Sequence, residues 1–193
     1  MVQFTRLFVS LCLIAASVSS PTKRTAAQVE ADIAKISSQA TAWDKDIKGF
    51  PDSGMLGFLK IDLAAESLES SLKTATSDVK ANGALSEADG TTILSEVQAI
   101  LPVILDALAR LTAEKPSFAA LLVPGIPAVV LADLKALNAS TDAFANALLA
   151  AAPVRPSNYA RKSWMADLIS AGRPGASVNL CSDWIMDEPT NDR

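Results

Sequence analysis

The feature that most constrains this chain is an apolar repeat with helical spacing, which runs from about Val29 to Leu149. Apolar residues recur at alternating intervals of about three and four, and this spacing places them along one face of an α-helix. Turn residues at 50–54 and 82–83 interrupt the repeat. Short connections and the lack of strand-like alternation predict an all-α fold. We expect an up-and-down antiparallel bundle of about five helices, with small residues leaving room for an apolar cavity between them.

The same pattern gives approximate helix boundaries. Pro102 lies inside the third helix, and we expect that helix to kink there and continue, because its apolar phase persists on both sides of the proline. The fourth stretch is interrupted by proline and glycine, which favours two short helices over one. The predicted helices cover residues 25–48, 55–80, 86–111, 116–122 with 129–137, and 140–152, the last one beginning at the cap residues Ser140 to Asp142.

The N-terminus has the pattern of a secretory leader. Arg6 precedes an apolar segment, Leu7 to Val18, and small residues follow at 15–20. The apolar segment is too short for a membrane span of roughly 20 residues, and no later stretch of that length lacks charge and proline. We therefore predict a signal peptide at residues 1–20, a protein released or held in a cell wall, and no integral membrane segment.

The C-terminal part of the sequence differs in composition from the predicted bundle. Residues 153–193 are interrupted by proline and glycine and show no periodicity, so we expect an irregular or disordered tail. Cys12 lies in the leader and Cys181 lies in this tail, which leaves no intramolecular disulfide after cleavage. The domain at residues 25–152 must therefore be stabilised by its apolar core.

Composition excludes most catalytic chemistry. The chain has no histidine, so it has neither a Ser-His-Asp nor a Cys-His arrangement nor an imidazole metal site. The carboxylate pairs Asp44/Asp46 and Glu66/Glu69 lie among lysines, on faces that we expect to be solvated. A net charge of −4 disfavours nucleic acid as a partner. We predict a protein that is not an enzyme and uses no cofactor and no metal.

A series of short segments lies in a characteristic order along the predicted helices. These segments are Asp32–Ile33, Leu68–Leu72, Thr76–Val79, Leu85–Ser86, Lys115–Phe118, Val130–Leu134 and Ser140–Phe144. In this order and spacing they resemble the fungal hydrophobic surface-binding protein A family, which includes antigenic cell-wall galactomannoproteins. The resemblance covers roughly Thr25 to Pro153. It implies a secreted all-α domain that adheres to hydrophobic surfaces or holds fatty-acid-like lipids between its helices, in the fungal cell wall.

The apolar stripes admit two interpretations, because a plain packed core has the same spacing as the lining of a lipid cavity. If a lipid binds between the helices, Ser71, Thr76 and Ser86 are candidate polar partners for its carboxylate. The candidate lining residues are Ile36, Trp43, Phe58, Leu72, Val97, Leu101, Ile104, Val130, Leu134 and Phe144.

Other functions remain open at this point. The bundle could open and spread its apolar faces on a surface, where each buried Å² contributes about 25 cal/mol. It could also be a structural or antigenic wall mannoprotein without a ligand, or a secreted module that recruits an enzyme, meets a host protein or contacts cell-wall polysaccharide. Asn138 begins an Asn-Ala-Ser sequon, which predicts N-glycosylation in a turn before the last helix.

Overall fold

The computed structural model describes residues 25–153 of the chain. The predicted signal peptide and, except for Pro153, the predicted tail lie outside the described residues. Within residues 25–153 the fold is all-α, as predicted, with five helices and no strand. The helices are α1 (Ala26–Lys48), α2 (Gly54–Asn82), α3 (Glu87–Ala113), α4 (Lys115–Ala119) and α5 (Ile126–Ala151).

The first three helices begin and end close to the predicted residues, and local chemistry explains why. The Thr25 hydroxyl accepts a hydrogen bond from the Gln28 N–H at 3.4 Å, which caps α1. The Ser86 hydroxyl accepts from the Asp89 N–H at 3.2 Å and caps α3 in the same way. Gly83 ends α2 with a φ of +76°, in the left-handed region that favours glycine.

The prediction of a helix boundary near Ser140 is wrong, because α5 runs without interruption from Ile126 to Ala151. Ser140 is buried inside this helix, and the Thr141 hydroxyl donates to the Leu137 carbonyl at 2.8 Å. Serine and threonine in mid-helix often make this bond to the preceding turn, so a cap-like sequence does not require a cap. The apolar face of α5 continues across these residues, and its packing holds the helix together.

Contacts at the two ends of the bundle fix the direction of the long helices. At one end the Phe118 ring stacks on Phe50 with centroids 4.2 Å apart and meets the edge of Phe58 at 6.4 Å. At the other end the Leu85 N–H donates to the Ala151 carbonyl at 2.8 Å. The α2 and α5 helices therefore run from the aromatic end to the Leu85 end, and α3 runs back. Successive long helices are antiparallel, as predicted.

Neighbours in space are not all antiparallel, however. Lys48 Nζ at the end of α1 lies 3.4 Å from Asp106 Oδ2 late in α3, so these two packed helices run in the same direction. The α1 helix packs against α2 and α3, and α2 packs against α5, whereas α3 and α5 make no comparably extensive contact. The described part of the bundle is therefore least tightly closed between α3 and α5.

The α3 helix differs from the others in being strongly apolar and little buried. It continues across Pro102, as predicted. It is the one described helix that is long and apolar enough to cross a membrane, a criterion that core helices of soluble proteins also meet. Only 17% of its most apolar stretch is buried within the bundle, so much of its apolar surface is not covered by the other described helices.

Candidate functional site

An apolar cavity of about 140 Å³ lies between α1, α2, α3 and α5. An engineered cavity of about the same volume in another protein stays dry and binds benzene, so a space of this size is a ligand-sized void. Its lining is almost entirely aliphatic and aromatic, and apart from the indole of Trp43 the polar side chains among the described lining residues are Thr112, Asn138 and Thr141.

The helical repeat explains how the four helices supply this lining. On α3, Val97, Leu101, Ile104 and Leu108 recur at intervals of four and three and form a continuous face toward the cavity. These α3 side chains are only half-buried, because α3 does not pack closely on α5. The opposite walls are buried more completely, with Leu134 and Phe144 of α5 each 6% exposed. The less buried α3 wall is therefore the side on which the cavity approaches the surface.

Most of the predicted lining residues lie together at this cavity, but two of them do not. Phe58 and Val130 line a smaller adjoining pocket of about 10 Å³. Trp43 and Leu134 line both spaces, so the two are neighbours. A role of the predicted lining residues in lipid binding stays a prediction. The predicted residues that line the larger cavity are Ile36, Trp43, Leu72, Val97, Leu101, Ile104, Leu134 and Phe144.

The predicted polar partners of a lipid carboxylate do not line the cavity. The Thr76 hydroxyl donates to the Leu72 carbonyl at 2.7 Å, Ser86 caps α3, and Ser71 is buried away from the cavity lining. Position along the helices is the only sequence signal for these residues, and small hydroxyl residues of a helix commonly bond to their own backbone.

Sequence reasoning also missed several lining residues. Ile33, Leu68, Ile100 and Leu137 belong to the same apolar stripes as the predicted set, so the periodicity could have included them. Asn138 and Thr141 carry no such signal, because Asn138 falls in the expected turn and Thr141 falls among the expected cap residues of the last helix.

Asn138 therefore lies in a setting different from the predicted one. It is part of α5 and lines the cavity, and its side-chain amide donates to Asp142 Oδ2 at 3.3 Å. Placement of the sequon in a turn is wrong, because the helix does not break there. Glycosylation of Asn138 itself stays a prediction.

One of the carboxylate pairs expected to be solvated is also placed differently. Asp44 is buried, with 7% exposure, and pairs with Lys48 one turn later. That pair raises the pKa of the exposed Lys48 ammonium, with the hydrogen bond from Lys48 to Asp44 as the largest cause. Glu69 pairs with Lys73 at 2.6 Å, as the i,i+4 spacing predicts. These carboxylates are neutralised by lysines of their own helices.

An acidic cluster lies beside the cavity, at the interface of α2 and α5. Asp133 and Asp62 both line the small adjoining pocket. Burial raises the pKa of Asp133 to about 7, and a hydrogen bond with Asp62 and the nearby charges of Asp62, Glu66 and Glu69 act in the same direction. Asp133 therefore holds a proton in the folded protein over a pH range in which it is ionised in the unfolded chain.

This shift predicts that the bundle loses stability as the pH rises from 3.8 toward 7, because the folded state binds the proton more tightly than the unfolded state. The loss is complete above pH 7. We expect Asp133→Asn, an uncharged mimic, to raise stability at pH 8 by about 1 kcal/mol, a figure discounted for the partial exposure of Asp133. Urea unfolding at pH 5 and pH 8 measures this, with the exposed Asp52→Asn as the matched control. Equal pH dependence in both variants would contradict the assignment.

A bundle of helices around an apolar cavity with few polar groups is typical of small helical binding proteins. The chain belongs to the hydrophobic surface binding protein A family, whose model matches residues 26–150. The predicted resemblance is thus confirmed. No curated protein sequence matches the chain significantly.

Two solved structures resemble the bundle. The crystal structure of AfMP4p in complex with palmitic acid has 26% sequence identity and a TM-score of 0.71, covering 82% of this chain and 99% of that one. Ligand binding domain 1 of the Penicillium marneffei MP1 protein, complexed with arachidonic acids, has 13% identity and a TM-score of 0.64, covering 80% and 95%. The second likeness concerns the fold alone.

Proposed function

We propose that this protein is a secreted, non-catalytic carrier that holds a fatty-acid-like lipid in the cavity between its helices and acts outside the cell or in the fungal cell wall. The observation that carries this proposal is the cavity itself, an apolar space walled by the repeat that dominates the sequence. The palmitic acid complex of AfMP4p, a bundle of similar fold, supports the same ligand class. The predicted residues at the cavity are then the acyl-chain contacts.

The size of the cavity indicates how such a lipid is accommodated. Sites for ligands of drug size typically measure about 300–1,000 Å³, whereas this cavity measures about 140 Å³. A long acyl chain therefore requires the helices to separate. The α3 helix can move most readily, because it does not pack extensively on α5 and little of its apolar surface is buried.

Adhesion to a hydrophobic surface is a second candidate, favoured by a separate observation. Leu56, Leu59 and Leu63 lie on one outer face of α2 and are 72%, 45% and 62% exposed. A row of exposed leucines is a typical contact for an apolar surface. This mode needs no cavity, and the two modes can operate in one protein.

Native mass spectrometry of the secreted protein tests the carrier proposal. We expect a folded species with one co-purifying acyl mass, or stoichiometric uptake of added palmitic acid after delipidation. Palmitic acid titrated into the folded protein without any mass increase would contradict it. Adhesion without a carrier function would instead give binding that scales with interface area and accompanies loss of tertiary structure. A mannoprotein without ligand, or a module for polysaccharide or a recruited enzyme, would show neither behaviour.

A further inference from the structure

The strongest feature that the carrier proposal leaves unexplained is the indole nitrogen of Trp43. This side chain is 2% exposed and lines both the apolar cavity between the four long helices and the small adjoining pocket. Its Nε1–H is buried and has no hydrogen-bond acceptor among the described residues. A buried tryptophan N–H usually has a partner, because an unpaired donor loses its hydration without compensation. Because the nitrogen itself is covered by protein, the acceptor oxygen of a ligand can reach it only when the helices separate, as a long acyl chain requires.

The other polar lining groups already donate to the protein. The Thr112 hydroxyl donates to the Leu108 carbonyl at 2.9 Å, and the Thr141 hydroxyl donates to the Leu137 carbonyl at 2.8 Å. The Asn138 amide donates to Asp142. Among the lining residues that the structure describes, Trp43 is therefore the buried donor that is left without an acceptor.

The surroundings of Trp43 indicate which acceptor fits. Asp62 and Asp133 line the small pocket together with Trp43, so the ionisable side chains that line this pocket are acidic. A carboxylate brought close to them would be repelled and would lose its hydration in an apolar space. A hydroxyl, an ester carbonyl or a protonated carboxyl carries an acceptor oxygen without charge and meets neither penalty.

We infer that the Trp43 indole N–H donates a hydrogen bond to an uncharged oxygen of the bound lipid, so that the site favours long-chain alcohols and esters over alkanes of equal length. This inference rests on the proposed carrier function and assigns the polar anchor within that site. Trp43 is then the residue that orients the lipid, with its oxygen at the Trp43 end of the cavity and its chain along α3.

The test compares n-decanol with decane, which share a chain and differ in one oxygen. Both are titrated against bound diphenylhexatriene, a hydrocarbon probe that carries no oxygen. We expect the full-length protein to bind n-decanol more tightly than decane, and Trp43→Phe to reduce this preference about fivefold, the loss of one hydrogen bond. Phe144→Leu is the matched control, since it removes aromatic volume from the same cavity and should weaken both ligands equally.

A second measurement does not depend on folding of the Trp43 variant. In the wild-type protein labelled with nitrogen-15, n-decanol should shift the Trp43 indole proton resonance downfield and slow its exchange with water, whereas decane should not. Equal indole shifts with the two ligands, or an unchanged preference in Trp43→Phe, overturn the anchor while the carrier function stands. If neither ligand displaces the probe and palmitic acid does not bind, the carrier function itself fails.

Discussion

Filling the cavity with Val97→Trp should weaken the binding of palmitic acid by at least about tenfold while the bundle stays folded. Val97 is a half-buried residue of α3 whose side chain lines the cavity. A tryptophan there occupies space that an acyl chain would need. Excluding two methylene groups from burial costs about 1.6 kcal/mol, which corresponds to more than a tenfold change in affinity. Native mass spectrometry and calorimetric titration measure the effect.

The same helix offers a matched control for this variant. Leu105 lies on α3 outside the cavity lining and is 43% exposed, so Leu105→Trp adds the same side chain without filling the cavity. We expect its affinity for palmitic acid to equal that of the wild type, with both variants retaining wild-type helical circular dichroism. If Val97→Trp bound palmitic acid as tightly as Leu105→Trp does, the lipid would have to lie elsewhere, for example on the exposed leucines of α2.

The largest loss of stability is expected from Phe118→Ala, about 3–5 kcal/mol in the free energy of unfolding. Phe118 is fully buried and contacts Phe50 and Phe58 at the end of the bundle where α4 sits. Truncation leaves a cavity and removes two aromatic contacts, which join α4 to the connection between α1 and α2 and to the start of α2. Urea unfolding at a fixed pH, followed by circular dichroism, gives the difference.

Leu122→Ala provides the comparison for Phe118→Ala. Leu122 follows the same short helix but is 100% exposed, so we expect its stability to stay within about 0.5 kcal/mol of the wild type. A loss below about 1 kcal/mol for Phe118→Ala would mean that the neighbouring rings close the gap and that the aromatic cluster does not hold this end together.

Periodicity predicted the fold and most of the cavity lining, because the apolar residues that pack the helices together also line the cavity. Val97 and Ile104 could be assigned to a common face from spacing alone. Spacing alone could not place residues near a suspected break in a helix, such as Asn138. The cap-like residues after it suggested a turn, whereas tertiary packing keeps α5 continuous.

Two other features depend on groups that are distant in sequence. Asp133 has a raised pKa because it is buried and because α2 brings Asp62 against it, and nothing in the local sequence indicates either effect. The unpaired indole N–H of Trp43 likewise could not be predicted from the sequence, because a missing acceptor is recognised only when all neighbouring groups are known. The sequence also predicts that Asp44 is exposed to solvent, whereas it is buried. Its burial follows from the position of α1 in the bundle, which the local sequence does not indicate.

The way in which α3 is attached has a consequence for the range of lipids that the proposed carrier would accept. Its start follows the Leu85 to Ala151 hydrogen bond, and its end precedes the Phe118 ring cluster. Pro102, which lacks a backbone donor, lies between these two fixed points. If a bound lipid separates the helices, we expect α3 to bend outward near Pro102, because both of its ends are held in place. The cavity would then become wider, while its length would still be limited by the two ends of the bundle. We therefore expect thicker or bent acyl chains to be tolerated more readily than longer straight ones.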